Sequence, residues 1–244
     1  MIKPKNDQAE NATACDLTSQ SIFSGLTKEE LEIFDASKSC QTFKKGKQIF
    51  VEGHFPLGLY CIDSGKVKLE HSGEEGKMQI VRMSKAGDII GYRALICEEK
   101  YNASAVALEE TEVCFIPKDT FFKVLQSNNK LSMNMIRLLA SDLRTAEDHL
   151  TELAQKPVRE RLAKALLFLK EKYGFEDDKA TINVSLSREE IADLVGTATE
   201  TAIRLLSDFR SDNIIELAGK KIKIANLEKL IKTAHYYQTD YPLY

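Results

Sequence analysis

The sequence predicts an α+β chain: a β-rich N-terminal segment folded as a sandwich or barrel, one long helix, and a C-terminal helix-turn-helix followed by a hairpin. Three observations carry that prediction. Eight of the twelve glycines lie between Gly46 and Gly91 and none lies between Tyr92 and Tyr173, so turn-rich chain gives way to helix-rich chain. From Asn128 onward the apolar residues recur at alternating threes and fours. Nearer the C-terminus, "LSREEIADLVGTATETAIRLLSDFRSDNII" holds two helix-start signatures with a glycine between them.

The first twenty residues, "MIKPKNDQAENATACDLTSQ", are polar and have no apolar stretch of the kind a secretory signal needs, so a flexible tail is expected there. In "LTKEELEIF", Thr27 with Glu30 three residues on reads as a capping box, which predicts a short opening helix. The runs "KQIFVE", "LYCID", "KVKLEH", "MQIVRMS", "ASAVAL" and "EVCFIP" then alternate apolar and polar residues. Such runs, recurring about every 8–12 residues between turn residues, point to a sandwich or barrel. "HSGEEGK" is a hairpin loop between two of them. "GDIIGYRA" places Gly87 and Gly91 four apart, allowing close backbone approach to an anionic ligand before a short helix.

In the long helix, Ile136, Leu139, Leu143, Ala146, Leu150 and Leu153 form a narrow two-position stripe, with Arg137, Asp142, Arg144, Glu147 and Asp148 off it. A stripe this narrow favours pairing with another helix, hence a dimer. Pro157 marks the break before the next helix, "PVRERLAKALLFLKEKYG".

The helix-turn-helix is the most informative stretch. Ser187 with Glu190 forms a capping box, Gly196 ends that helix, and Thr197 with Glu200 is expected to form a second box. Ala198, Ala202, Leu205, Leu206 and Phe209 share the face expected to be buried; Glu200, Ile203, Arg204 and Ser207 share the other. In a major groove a carboxylate accepts from cytosine N4, a guanidinium forks onto guanine O6 and N7, and an aliphatic group meets a thymine methyl. Glu200, Arg204 and Ile203 supply those three groups; a solvated Glu–Arg pair is the plainer alternative. The hairpin "IIELAGKKIKI" sets Lys220, Lys221 and Lys223 at its tip and along one strand, suited to phosphates.

Composition sets limits. The chain has 244 residues, 43% hydrophobic and 29% charged, an ordinary globular balance without an apolar run of about 18 residues that would span a membrane. The cytoplasm is the expected compartment. Net charge is −3, and residues 151–244 carry 15 Lys+Arg against 15 Asp+Glu, so any nucleic-acid role rests on local geometry and not on bulk charge. The five cysteines, Cys15, Cys40, Cys61, Cys97 and Cys114, are scattered, which predicts buried, inert thiols and neither a disulfide framework nor a metal cluster.

From about Ser21 to Leu230 the order of parts resembles the Crp–Fnr superfamily of bacterial transcription regulators. "VGTATETAIRLL" is similar to that family's recognition helix, with Thr199 where an arginine or a valine often precedes the glutamate. The resemblance implies a cyclic-nucleotide-binding-type β-roll (a double-stranded β-helix, or jelly roll) over 21–126 and a dimerisation helix over 127–154. It further implies a winged helix-turn-helix over 155–232, with a tail at 233–244. It also implies a homodimer on a palindromic operator with TGA-containing half-sites, and RNA polymerase as a partner. The residues expected at DNA are Ser187, Arg188, Thr197, Thr199, Glu200, Ile203, Arg204, Ser207, Lys220 and Lys221.

In cyclic-AMP-responsive members of that family a Gly-Glu pair holds the ribose and a later Arg-Ser-Ala pairs the phosphate. Here Tyr92 follows Gly91, Ala103-Ser104-Ala105 stands at the second place, and the Thr-Ser pair of the dimer helix reads Ala146-Glu147. A cyclic phosphate would lack its charged partners, so cyclic AMP in that mode is not expected. Arg82 and Arg93 are candidate anion partners instead. Cys15 alone lies in the tail, which does not meet the clustered cysteines of iron–sulfur members, and His54 and His71 do not by themselves indicate haem. The effector is left unidentified. An enzyme is not expected: a cupin-like metal-dependent oxygenase, the main rival reading, wants converging histidines, but the four here are dispersed, with His149 and His235 outside the roll. A β-roll interaction module with a degenerate DNA domain is the third reading.

Overall fold

The computed structural model describes residues 21–235. Residues 1–20 and 236–244, which include Cys15 and most of the expected C-terminal tail, lie outside the described residues. Helix α1 (Lys28–Ser37) opens with the expected capping box: the Glu30 N–H donates to Thr27 Oγ1 at 3.3 Å and the Thr27 N–H donates to Glu30 Oε2 at 2.9 Å. Eight strands follow: β1 (Ser39–Phe43), β2 (Gln48–Phe50), β3 (Gly58–Ser64), β4 (Lys66–Ser72), β5 (Met78–Lys85), β6 (Ile89–Ile90), and, after the short helix α2 (Tyr92–Cys97), β7 (Ser104–Ala107) and β8 (Thr111–Pro117). They form two four-stranded sheets, ordered β1-β8-β3-β6 and β2-β7-β4-β5. That arrangement is the jelly roll that the family resemblance implies, within the sandwich-or-barrel class that the turn spacing predicts.

Strand β1 has no counterpart among the alternating runs. Its sequence, "SCQTF", is largely exposed because it is an edge strand bonded to β8 alone, so no apolar alternation marks it. It also overturns the expectation for the cysteines. Cys40 and Cys114 face each other across β1 and β8 and form a disulfide, although 74 residues separate them in sequence, and Cys97 is exposed. Pairing across a sheet follows register, which sequence spacing does not display.

The helical part comprises α3 (Lys118–Ser127), α4 (Asn129–Gln155) and α5 (Val158–Tyr173), then α6 (Arg188–Val195), α7 (Thr199–Ser211), the hairpin of β9 (Ile215–Ala218) and β10 (Lys221–Ile224), and α8 (Leu227–Thr233). Asn128 separates α3 from α4: its Oδ1 accepts from the Leu131 N–H at 2.9 Å, and its Nδ2 donates to Glu30 Oε2 at 2.7 Å. One side chain thereby caps α4 and ties it to the cap of α1.

The chain packs as two units. Of the described residues, one unit comprises those up to Val67 together with Ser84–Met135; the other comprises Lys68–Met83 together with those from Ile136 onward. The core of the first is built from Phe34, Leu59, Ile62, Ile90, Leu95, Ile116, Phe121 and Leu131, all fully buried. The core of the second centres on Leu162, Ala163, Leu166, Ile191, Leu206 and Phe209. Among the described residues no helix is long and apolar enough to cross a membrane.

Candidate nucleic-acid interface

Helix α6 begins at a full capping box. The Glu190 N–H donates to Ser187 Oγ at 3.0 Å and the Ser187 N–H donates to Glu190 Oε2 at 2.7 Å. It ends at Gly196, which takes the left-handed conformation at φ 70°. The positive φ favours glycine, and a Cβ built there would lie 2.9 Å from Leu153 Cδ2, which would have to shift.

Helix α7 starts differently from expectation. Its N-cap is Ala198, with no side-chain cap bond, so the second box of Thr197 and Glu200 does not form. The turn after Gly196 runs one residue further than expected, which places Thr197 outside the cap and makes Glu200 the second helical residue. Ala198, assigned to the buried face, is exposed for the same reason. The rest of the pattern holds: Ala202, Leu205, Leu206 and Phe209 are buried, whereas Glu200, Ile203 and Arg204 are exposed and Ser207 is half-buried. Ile203 is 48% exposed, a cost that its own unit does not explain. Arg204 Nη1 lies 3.8 Å from Asp208 Oδ2, a loose solvated contact that leaves the guanidinium available.

The hairpin is tied to α6. Arg188 Nη2 donates to the Gly219 carbonyl at 2.9 Å; its Nη1 is buried with no hydrogen-bond partner, and burial holds the group below its usual pKa. Of the three lysines, Lys221 Nζ lies 2.7 Å from Glu176 Oε2 and Lys223 Nζ lies 3.6 Å from Glu216 Oε2. Lys220, exposed at the turn, has no ion-pair partner among the described residues.

Two features of this unit escape sequence reading. Arg161 looks like an ordinary helix cation, yet its guanidinium donates to four carbonyls: Leu153 at 3.3 Å, Lys156 at 3.3 Å, Val195 at 3.2 Å and Gly196 at 3.0 Å. These are the C-terminal carbonyls of α4 and α6, where a cation also meets the negative ends of both helix dipoles. Arg161→Met keeps the stem and removes the fork. It is expected to cost about 2–4 kcal/mol in urea unfolding, and a loss below about 0.5 kcal/mol, typical of a plain surface change, contradicts the assignment.

The second feature is charge around α6. Lys68 is 8% exposed, and its ammonium lies 2.7 Å from Glu70 Oε2 and 3.0 Å from Glu190 Oε1. Burial alone would raise the Glu190 carboxyl, but the Ser187 N–H and Lys68 outweigh it and hold the group below its usual range. Asp193 is pushed up to about 6, first by burial and then by Glu189, with Lys68 opposing and Glu70 and Glu190 adding. A carboxyl raised in the folded state contributes stability that is complete below its unfolded value and lost as pH rises through the folded one. The unfolding midpoint is therefore expected to fall between about pH 4 and pH 6. Asp193→Asn should remove that component, and a variant with an unchanged pH profile contradicts it.

In the β-roll, Gly91 precedes α2 at φ 82°, and a Cβ there would lie 3.3 Å from Tyr101 Cε1 and 3.5 Å from Phe50 Cε1. Those two rings stack at 4.0 Å, and the Tyr101 hydroxyl is buried with no hydrogen-bond partner. Tyr92 and Ala103 are buried, and the Ser104 hydroxyl accepts from the Glu52 N–H at 3.0 Å. The cassette thus holds aromatic rings against the glycine, and the Ser104 hydroxyl already accepts a backbone hydrogen bond. Both candidate anion partners have carboxylates: Arg93 Nη1 lies 3.7 Å from Glu99 and Arg82 Nη2 lies 2.6 Å from Asp142. Arg82, Ala146 and Glu147 belong to the second packing unit, with Ala146 and Glu147 exposed on α4. Among the described residues no three His, Cys, Asp or Glu side chains converge as a metal set.

Along α4, Ile136, Leu143 and Leu150 are 58%, 62% and 69% exposed, Leu139 is half-buried, and Leu153 rests near Gly196. Only Leu131 and Met135 of this helix are buried.

Comparison with known proteins places these parts. Residues 40–128 match the cyclic nucleotide-binding domain family model and residues 160–233 the Crp-like helix-turn-helix domain model. The chain is 31% identical over 224 residues to the fumarate and nitrate reduction regulatory protein of Yersinia pestis, covering 90% of this chain and 88% of that one. It is 28% identical over 214 residues to a CRP-like cAMP-activated global transcriptional regulator of Mycobacterium tuberculosis, covering 87% and 96%. In fold it is similar to FixK2 of Bradyrhizobium japonicum (TM-score 0.72, 23% identity, 80% of this chain and 96% of that one). It is likewise similar to a CRP-family transcriptional regulator of Thermus thermophilus (TM-score 0.69, 24% identity, 82% and 100%). These likenesses do not favour the oxygenase reading.

Proposed function

The chain belongs to the Crp–Fnr superfamily of transcription regulators, and on that premise we propose that it acts as a homodimer that reads a palindromic operator through α7. The observation that carries this reading is the outer face of α7, where Glu200, Ile203 and Arg204 stand exposed on a helix whose other face is locked into the core. Arg204 reads a guanine, Glu200 a neighbouring cytosine and Ile203 a thymine methyl, giving a TGA-containing half-site. Ser187, Thr197, Thr199 and Ser207 line the approach to the backbone and Lys220 meets a phosphate, with Arg188 and Lys221 set beside it. The stripe of Ile136, Leu139, Leu143, Ala146, Leu150 and Leu153, exposed except at the half-buried Leu139, supports pairing of α4 with its copy.

In this reading residues 21–126 form the sensor, 127–154 the dimer helix and 155–232 the DNA-binding domain. The protein works in the cytoplasm beside RNA polymerase and is not an enzyme. A mobility-shift assay with genomic fragments tests the DNA role; failure to retard any fragment, with the dimer intact, would favour a sensor module with an inactive DNA domain.

Cyclic AMP does not fit the sensor. Tyr92 and Ala103 bring no charge to a phosphate, Ser104 is engaged by Glu52, and Phe50 and Tyr101 pack against Gly91. Calorimetric titration of the full chain is expected to give no saturable heat with cyclic AMP at physiological concentration. A micromolar Kd, about −8 kcal/mol, contradicts this.

A further inference from the structure

We propose that Cys40, Cys114 and Cys61 form a thiol–disulfide exchange site, which takes low-molecular-weight thiols and disulfides at Cys40 and passes the bond along a row of three sulfurs. The register sets the row. Cys40 is the partner of Cys114 across β1 and β8, and Cys61 is the partner of the same Cys114 across β3 and β8. Residues directly opposed in an antiparallel sheet project to one face with Cβ atoms about 4.5–5.5 Å apart. All three sulfurs therefore share a face, with Cys114 between the other two. The bond joins Cys40 to Cys114, and Cys61 stands outside that disulfide. Cys61 and Cys114 are fully buried, whereas Cys40 is half-buried on the edge strand, so Cys40 is the end of the row that meets solvent.

The chemistry balances in two steps. Inside the row, the Cys61 thiolate attacks Cys114 Sγ; the Cys61–Cys114 bond forms, the Cys40–Cys114 bond breaks, and Cys40 leaves as a thiolate that takes up the proton lost by Cys61. No electron leaves the protein. At the outer end, a small thiolate attacks Cys40 Sγ, forming a mixed disulfide and releasing the Cys114 thiolate. A second small thiolate then attacks the bound small-molecule sulfur and releases the Cys40 thiolate. Two small thiols become one disulfide, the protein bond is reduced, and the two protons pass to Cys40 and Cys114. The reverse sequence, with a small disulfide as oxidant, restores the bond. Cys61 and Cys114 are shielded from solvent, and rearrangement between such sulfurs without a catalyst takes minutes to hours.

The bond matters because, among the described residues, β1 has no strand on its far side. It holds the edge that continues directly from α1, and the cap of α1 is joined through Glu30 and Asn128 to the cap of α4. Moving the bond inward releases that edge.

The test uses the full chain with Cys15→Ser and Cys97→Ser, leaving three cysteines, exposed to mixtures of oxidised and reduced glutathione, quenched by alkylation and mapped by mass spectrometry. With Cys40→Ser added, oxidation is expected to give a Cys61–Cys114 disulfide. Recovery of Cys114 only as a thiol or as its glutathione adduct would overturn the exchange. A second measurement keeps all three: at successive times after oxidation, the mapped bonds should include Cys61–Cys114 with Cys40 alkylated or glutathionylated. Cys40–Cys114 as the sole bond at every time overturns it equally.

Discussion

Replacing Leu143 and Leu150 together with glutamate is expected to convert the protein to folded monomers that bind operator DNA at least about a hundredfold more weakly. Ile136, Leu143 and Leu150 recur every seven residues and are each more than half exposed, although α4 turns two other apolar side chains, Leu131 and Met135, into the core. Burying one leucine contributes about 1.5–3 kcal/mol, and a symmetric pair buries four at these two positions, roughly 6–12 kcal/mol in all. Four carboxylates in the same seam add like-charge repulsion. A monomer binds one half-site and loses the effective concentration that links the second, worth about 10²–10⁴ in affinity. Sedimentation equilibrium reads the assembly and circular dichroism the fold. A variant that stays folded and dimeric places the stripe inside a protomer's own packing and refutes the interface.

Arg204→Ala is expected to remove about 1–3 kcal/mol of discrimination at one base pair in each half-site. Over two half-sites that is roughly 2–6 kcal/mol. Competition between the parent operator and single-base-pair substitutions reads it as a loss of preference at that base pair alone. Exchanging Lys220 and Lys221 for glutamine should act differently: affinity falls for all sequences alike and the salt dependence flattens, because phosphate contacts carry no base information. Lys220 should account for most of that change, since Lys221 already has Glu176 at 2.7 Å.

The parts legible in the sequence are those whose signals are local. The Thr27 and Ser187 boxes, the αL turn at Gly196 and the stripe on α4 each arise within one element, and each lies where its residues indicate. The Thr197 box fails because capping depends on where the turn ends, and one extra turn residue moves Glu200 from the third helical position to the second. Strand β1 is invisible because an edge strand needs no apolar face. The Cys40–Cys114 bond, the reach of Arg161 to the Val195 and Gly196 carbonyls and the pairing of Lys68 with Glu190 join residues far apart in the chain, so no spacing rule reports them. In the sensor, the substitutions at Tyr92 and Ala103 are plain, but the engagement of Ser104 by Glu52 is not.

Selection from random duplex DNA, run with the full chain and with Arg204→Ala, tests the central claim most directly. The parent should enrich a palindrome whose half-site centres lie one helical turn, about 34 Å, apart, as a twofold pair of recognition helices demands. The variant should enrich the same spacing with one base pair in each half-site released. No palindrome from the parent, or an equally stringent identical palindrome from the variant, would contradict the reading of α7 as the helix that recognises bases.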